Sequence, residues 1–285
     1  MQATDTGNLV AQIKADDLEK YKELCLHGIK VDEETMQDWK QGAKDAMRLF
    51  KMDYTRELPF DRAADVRAPT LTTAAIQFAA RAYPTLMADD RPAKVRVFGN
   101  DEDGSKAAAA ERVSKFISWQ LTEGIDGWEQ ELDLMLHALP VEGCQAKKVY
   151  FSPAKKQVVS KLVPIEKLIL NAKASSVDDL RITQEFMLFP HEIEERRRRG
   201  LWVKLQQEKE EEDEGIAEVF YEQHCRLDID GDGYAEPYIV ILHKDSGQVM
   251  RIQHCIRSCL TLSTPFLAWA SAKSCCGSES RLIQF

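Results

Sequence analysis

The chain has 285 residues and a mass of 32.4 kDa, enough for one or two domains with a sizeable core. Hydrophobic residues at 44% and charged residues at 30% place it among soluble globular proteins, and no run of 18 apolar residues offers a membrane span. The net charge of -9 is concentrated in residues 208–236, where twelve acids face only Lys209 and Arg226, and such a stretch repels the DNA backbone and excludes a base-reading nucleic-acid domain.

The first 25 residues lack the basic start and apolar centre of a signal peptide. Seven cysteines at irregular spacing, with Cys25, Cys144 and Cys225 standing alone, suit a reducing compartment better than a disulfide framework. Periodicity predicts helices over 13–30 and 33–52, the second with an apolar stripe of Met36, Trp39, Ala43, Met47, Leu49 and Phe50 and the acidic "DEE" at its start. Pro59 and Pro69 bracket an irregular link. "LTTAAIQFAARAYPTLM" then reads as a helix rich in small residues, ended or kinked near Pro84, whose alanines allow close packing against another element or a neighbouring subunit. "AKVRVFG" alternates like a strand and "NDEDG" reads as a loop.

A helix is predicted over 105–122, with Val113, Phe116, Ile117 and Leu121 inward and Glu111, Arg112 and Lys115 on the wet side. The next, over 127–139, buries Trp128, Leu132, Met135, Leu136 and Leu139 and stops at Pro140. "CQAKKVYFSPAKKQVV" predicts a hairpin turning at Pro153 to Lys156, with more extended chain after it. "HEIEERRRRG" predicts a short helix ended by Gly200. "QQEKEEEDEG" holds too few apolar residues to pack. An antiparallel pair follows around an acidic turn, and "KDSG" marks a second hairpin turn.

From His254 the chain changes character: its last 32 residues hold four of the seven cysteines, six serines and four charged residues, without a helix or strand period. The reading that best accounts for this break is translation out of frame after about His254. Zinc is disfavoured, because "CIRSC" lacks a well-spaced partner pair and adjacent cysteines chelate poorly.

The acidic turn "DIDGDGYAE" sets Asp228, Asp230 and Asp232 at alternate positions, followed by Gly233 and Glu236. A calcium loop of the EF-hand kind starting at Asp228 would match through these residues. Its twelfth position, where a bidentate Glu belongs, is Ile239, and the residues that follow read as a strand. A structural turn is therefore read ahead of a calcium site formed by Asp228, Asp230, Asp232 and Glu236, and calcium sensing is set aside.

A search for chemistry finds neither a phosphate-cradling glycine loop nor a nucleophile elbow. Cys144 has no evident histidine base and reads as core, and His137 as a structural residue of its helix. Lys147 and Lys148 read as solvent-facing or intersubunit residues, and Arg196 to Arg199 as a basic helix end beside the negative pole of the helix dipole. No residue set makes an enzyme site.

Three long segments in series, "ELPFDRAADVRAPTLTTAAIQFAARAYPTL", "AERVSKFISWQLTEGIDGWEQELDLMLHALPVEGCQAKKVYF" and "LDIDGDGYAEPYIVILHKDSGQVMRI", resemble the N-terminal half of the portal proteins of tailed bacteriophages, of the large podovirus-type family. The resemblance covers about residues 30–252. It implies a structural subunit of a ring, typically a dodecamer, at one vertex of the virion capsid, assembled in the host cytoplasm. Such a ring forms the DNA channel for packaging and ejection and docks terminase and tail or head-completion proteins, without an enzyme activity or cofactor of its own.

The resemblance implies an α+β, wing-like region of amphipathic helices packed on antiparallel strands, stopping before most of the stem, clip and crown. On this reading the chain divides into a helical arm (1–30), a mainly helical wing segment (31–140), an α+β wing segment with an acidic loop (141–253) and an atypical tail (254–285). The site residues become contact surfaces: Ala75, Phe78, Ala79, Val113, Phe116, Ile117, Trp128, Leu132 and Met135. A competing reading is a non-enzymatic scaffold or binding module stabilised by calcium at 228–236.

Overall fold

The computed structural model describes residues 7–53, 60, 63, 68–87, 91–152, 156–173, 181–205, 215–255 and 260–263. The predicted hairpin tip at Pro153, most of the link between Pro59 and Pro69, most of the acidic run from 208 and most of the tail lie outside them. The architecture is α+β, and among the described residues no helix is long and apolar enough to cross a membrane. Two compact units form, neither of them continuous in sequence: Met1–Lys40 with Glu166–Ser258, and Gln41–Ile165 with Cys259–Phe285.

The first unit is built on helix α1 (Ala15–Phe50) as far as Lys40 and on a five-stranded antiparallel meander in the order β3 (Leu168–Leu170), β4 (Ile182–Leu188), β5 (Glu218–Leu227), β6 (Glu236–His243), β7 (Val249–His254). Both predicted turns, the acidic one and Lys244–Gly247, join antiparallel neighbours. Successive residues on a strand point to opposite faces, so the sheet builds two clusters. Tyr221, Tyr238, Val240 and Leu242 pack with Tyr21, Cys25 and Ile29 of α1. Phe220 and Met250 pack with Trp202 and the partly buried Ile193 of helix α5 (Pro190–Arg198). Phe220 is fully buried, its ring 4.9 Å from that of Trp202 and 5.2 Å from His243.

The expected break between two N-terminal helices is absent: α1 runs through 31–32 as one 36-residue helix. Asp32, read as the start of a second helix, lies mid-helix at 0% exposure. Its carboxylate is held by Arg181 (Nε to Oδ2, 2.7 Å) and by Asn171 (Nδ2 to Oδ1, 3.1 Å). Arg181 also donates to the Gly28 carbonyl at 2.9 Å, and a Cβ at Gly28 would fall 2.5 Å from the guanidinium carbon, so only glycine admits this approach.

The second unit holds α2 (Thr70–Leu86), α3 (Ser105–Trp119), α4 (Trp128–Glu142) and the hairpin of β1 (Gln145–Ser152) and β2 (Gln157–Val163), with β8 (Leu260–Ser263) along the other side of β1. The predicted hairpin is present, in register from Ala146 opposite Val163 to Ser152 opposite Gln157. Pro140 does not stop α4. It sits in the last turn, and the helix ends three residues later, where Gly143 takes a φ of 78° and donates to Leu139 O at 2.9 Å. Pro84 is likewise inside the last turn of α2. The α3 helix continues into a π-helical turn, Gln120–Gly124. "AKVRVFG" forms no strand among the described residues.

Removing one member of a buried ion pair strands the other charge, so Asp32→Ala is expected to lower the urea-unfolding free energy by about 3–5 kcal/mol, whereas replacing Asp32 and Arg181 together by apolar residues of similar volume recovers most of the loss. Tyr83 of α2 donates a hydrogen bond to the Glu129 carboxylate of α4, and that bond, followed by burial and the Glu129 charge, raises the phenol to about 12. A raised folded-state value stabilises fully below the ordinary value of 10.0 and is lost as pH climbs towards 12. Tyr83→Phe should therefore cost stability below pH 10 and become neutral near pH 12, as read from unfolding curves at the two pH values.

Candidate functional site

The acidic turn closes the β5–β6 hairpin. Asp228 accepts from the Gly231 amide at 2.8 Å and from the Gly233 amide at 3.0 Å, one through each carboxylate oxygen. Asp232 accepts from Tyr234 N at 2.8 Å and Asp230 from Asp232 N at 3.4 Å. Gly231 and Gly233 have φ of 77° and 90°, the left-handed conformation that lets the amides fold back onto the carboxylates. The Asp228 carbonyl accepts from the Tyr21 hydroxyl at 2.9 Å, which fixes the turn to α1.

One oxygen from each of Asp228, Asp230 and Asp232 lies within 4.8 Å of the others. Glu236, the fourth expected ligand, is not in this group. It opens β6, accepts from the Tyr238 hydroxyl at 2.6 Å and lies 3.9 Å from His254 Nε2. Three carboxylate oxygens are the ligand type a hard cation takes, and the loop is ordered by its own amides.

The expected contact residues separate into two groups. Ala79, Trp128, Leu132 and Met135 pack together inside the second unit with Ile125 and Leu136, and Ala75 is fully buried on α2. They build the core between α2 and α4. Phe78, Val113 and Phe116 face solvent, and Ile117 is half-buried.

On α3 the expected orientation holds only in part: Glu111, Arg112 and Lys115 are exposed and Leu121 packs against the α2–α4 core, but Val113 and Phe116 do not turn inward. Its buried residues are Ser114 and Ser118, while Val113, Phe116 and Trp119 are 46%, 58% and 55% exposed. The cause is the chain beside it. Pro92 and Ala93 are buried, the Ser114 hydroxyl donates to Ala93 O at 2.6 Å, and Ser118 Oγ lies 3.3 Å from the same oxygen and 3.4 Å from Ala93 N. Small hydroxylated residues let the backbones approach and satisfy a buried peptide group, so the larger apolar side chains are left outside. The Phe116 and Trp119 rings lie 5.9 Å apart, and Val95 and Phe98 of the preceding segment are also exposed.

The remaining candidates have local partners. Arg197 and Arg198 pair with Glu194 and Arg199 with Glu195, while Arg196 stacks over Trp202. The hydrogen bonds from Arg197 and Arg198 hold Glu194 down at about 2. Lys147 does not face solvent as expected: its ammonium is turned onto the Trp128 ring, 5.2 Å from the centroid, where burial lowers its pKa. Burial raises the Cys144 thiol above its ordinary range. His137 Nδ1 lies 2.9 Å from the Asp133 carbonyl one turn earlier. Sequence reading missed the contact that closes the Lys244–Gly247 turn, where Ser246 Oγ is 2.8 Å from His243 Nδ1; His243 Nε2 lies 3.3 Å from Glu218 of β5 without a hydrogen bond between them. Only "HKDSG" spacing hinted at the first contact.

Neither a scan against protein-family models nor a search of curated proteins finds a match for this chain.

Because Asp228 accepts two short amide bonds and Asp230 a single long one, Asp228→Ala is expected to cost about 1–3 kcal/mol in metal-free buffer and Asp230→Ala under about 1, compared by urea unfolding.

Proposed function

We propose that the chain is a structural subunit of a tailed-phage portal ring and supplies mostly its wing. Copies of the full-frame protein, typically twelve, would surround the DNA channel at one capsid vertex and seat terminase and the tail or head-completion proteins. DNA would pass by backbone charge alone, without base readout. The three-segment sequence resemblance motivates this reading, and the α+β architecture is compatible with it.

One observation carries it: the outward row Val113, Phe116 and Trp119 on α3. Three large apolar side chains at helical spacing, with serines on the buried side, make a face suited to a protein neighbour. In this reading the neighbour is the next copy in the ring, and the acidic turn is a solvated structural hairpin. The portal role requires no covalent chemistry of the subunit.

The closeness of the three aspartate oxygens favours one second reading, a binding module stabilised by calcium. Melting of the chain in calcium and in chelator separates the two. A calcium-dependent rise that Asp230→Ala abolishes supports the module, and indifference supports the structural turn.

The ring reading predicts concentration-dependent association in light scattering, weakened at least about tenfold by Phe116→Asp or Trp119→Asp, in line with loss of an aromatic anchor. A chain that stays single at every concentration would overturn it.

A further inference from the structure

Cys25 of α1 and Cys225 of β5 meet in one apolar cluster of the first unit. Cys25 is 1% exposed and belongs to the apolar cluster on which Cys225 packs. Their approach is fixed on both sides. Gln223, two residues before Cys225 and so on the same face of the strand, donates to the Cys25 carbonyl at 3.2 Å. One turn earlier on α1, Tyr21 donates to the Asp228 carbonyl. Between these ties the Cys25 side chain beside it, followed by burial, pushes the Cys225 thiol far above its ordinary range.

We propose that Cys25 and Cys225 are a redox pair, which closes to a disulfide when the protein leaves a thiol-rich compartment and locks α1 onto the sheet. The oxidant is a low-molecular-weight disulfide, RSSR. The Cys25 thiolate attacks one of its sulfurs, giving Cys25–S–SR and RS⁻. The Cys225 thiolate then attacks the Cys25 sulfur and expels the second RS⁻. The protein gives up two electrons and two protons, and RSSR leaves as two RSH.

Burial and the raised Cys225 pKa keep the thiolate scarce, so the step waits for α1 to open locally and is slow. Once formed, the bond ties residues far apart in the chain and restricts the unfolded ensemble. Cys255, whose sulfur is 3.9 Å from His224 Nδ1, is the competing partner. This inference does not rest on the portal reading.

The test uses the full chain exposed to oxidised glutathione, then alkylated and digested without reduction for peptide mass spectrometry. The expected product is one linked peptide pair, Cys25 with Cys225, in most molecules, together with a higher urea midpoint that dithiothreitol reverses. Cys25→Ser should abolish both changes, and Cys255→Ser should leave both in place. Linkage of Cys225 to Cys255, covalent dimers, a stable glutathione adduct, or full alkylation of Cys25 and Cys225 after oxidation would overturn the proposal. Peptide mapping of the unsubstituted chain decides the question even if a serine variant fails to fold.

Discussion

The first unit depends on a carboxylate that has no water. Asp32 is fully buried in the middle of a helix, a place where an unpaired charge could not persist. Arg181 supplies the countercharge, and its guanidinium spends its other contact on the Gly28 carbonyl. The same helix is tied to the rest of the first unit from Tyr21 to Met36. The Tyr21 hydroxyl binds the Asp228 carbonyl, Cys25 O accepts from Gln223, and Thr35 Oγ1 and Met36 Sδ accept from the amides of Ala172 and Leu170 at 3.2 Å and 2.9 Å. Apolar burial would let the helix slide along the sheet. This series of directional bonds fixes its register, and with it the position of the acidic turn.

In the second unit the corresponding constraint is a peptide group and not a charge. The buried Ala93 carbonyl needs donors, and two serines on α3 supply them. That choice determines the outer surface of the helix. With the inward positions occupied by small residues, the aromatic side chains have no interior to enter. The exposed row and the buried serines are therefore a single feature, which links local hydrogen-bond demand to the capacity for association.

Much of the fold was legible because its signals are local. The β1–β2 hairpin and the β5–β6–β7 meander follow from alternation interrupted by turn residues, and the Gly200 stop of α5 from its chemistry. The failures came where a distant partner decides. The "VDEET" segment has the composition of a helix start, and only Arg181, far along the chain, makes Asp32 an interior residue. Hydrophobic periodicity found α3 and its charged outer residues but placed Val113 and Phe116 inside, because periodicity does not register a carbonyl in need of two hydroxyls. "AKVRVFG" has strand alternation, but its Ala93 peptide group bonds to the serines of α3 and not to a strand. The polar residues of "ITQEFML" hid β4, which is in fact paired on both sides. The aspartates of the candidate site were readable from spacing, whereas the commitment of Glu236 to Tyr238 was not.

The outer edge of β7 shows how little is needed to terminate a sheet. The Asn8 side-chain amide accepts from Ile252 N at 3.2 Å and donates to Met250 O at 2.9 Å, acting as a single detached peptide group where a sixth strand would lie. A row of unmet amides and carbonyls is a template for another chain, and here the Asn8 carboxamide, with the Val203 amide donating to Met250 O at 3.2 Å, acts as the stopper. Proteolytic nicking or displacement of the segment carrying Asn8 would uncap that row and turn a self-limited unit into one able to polymerise edge to edge.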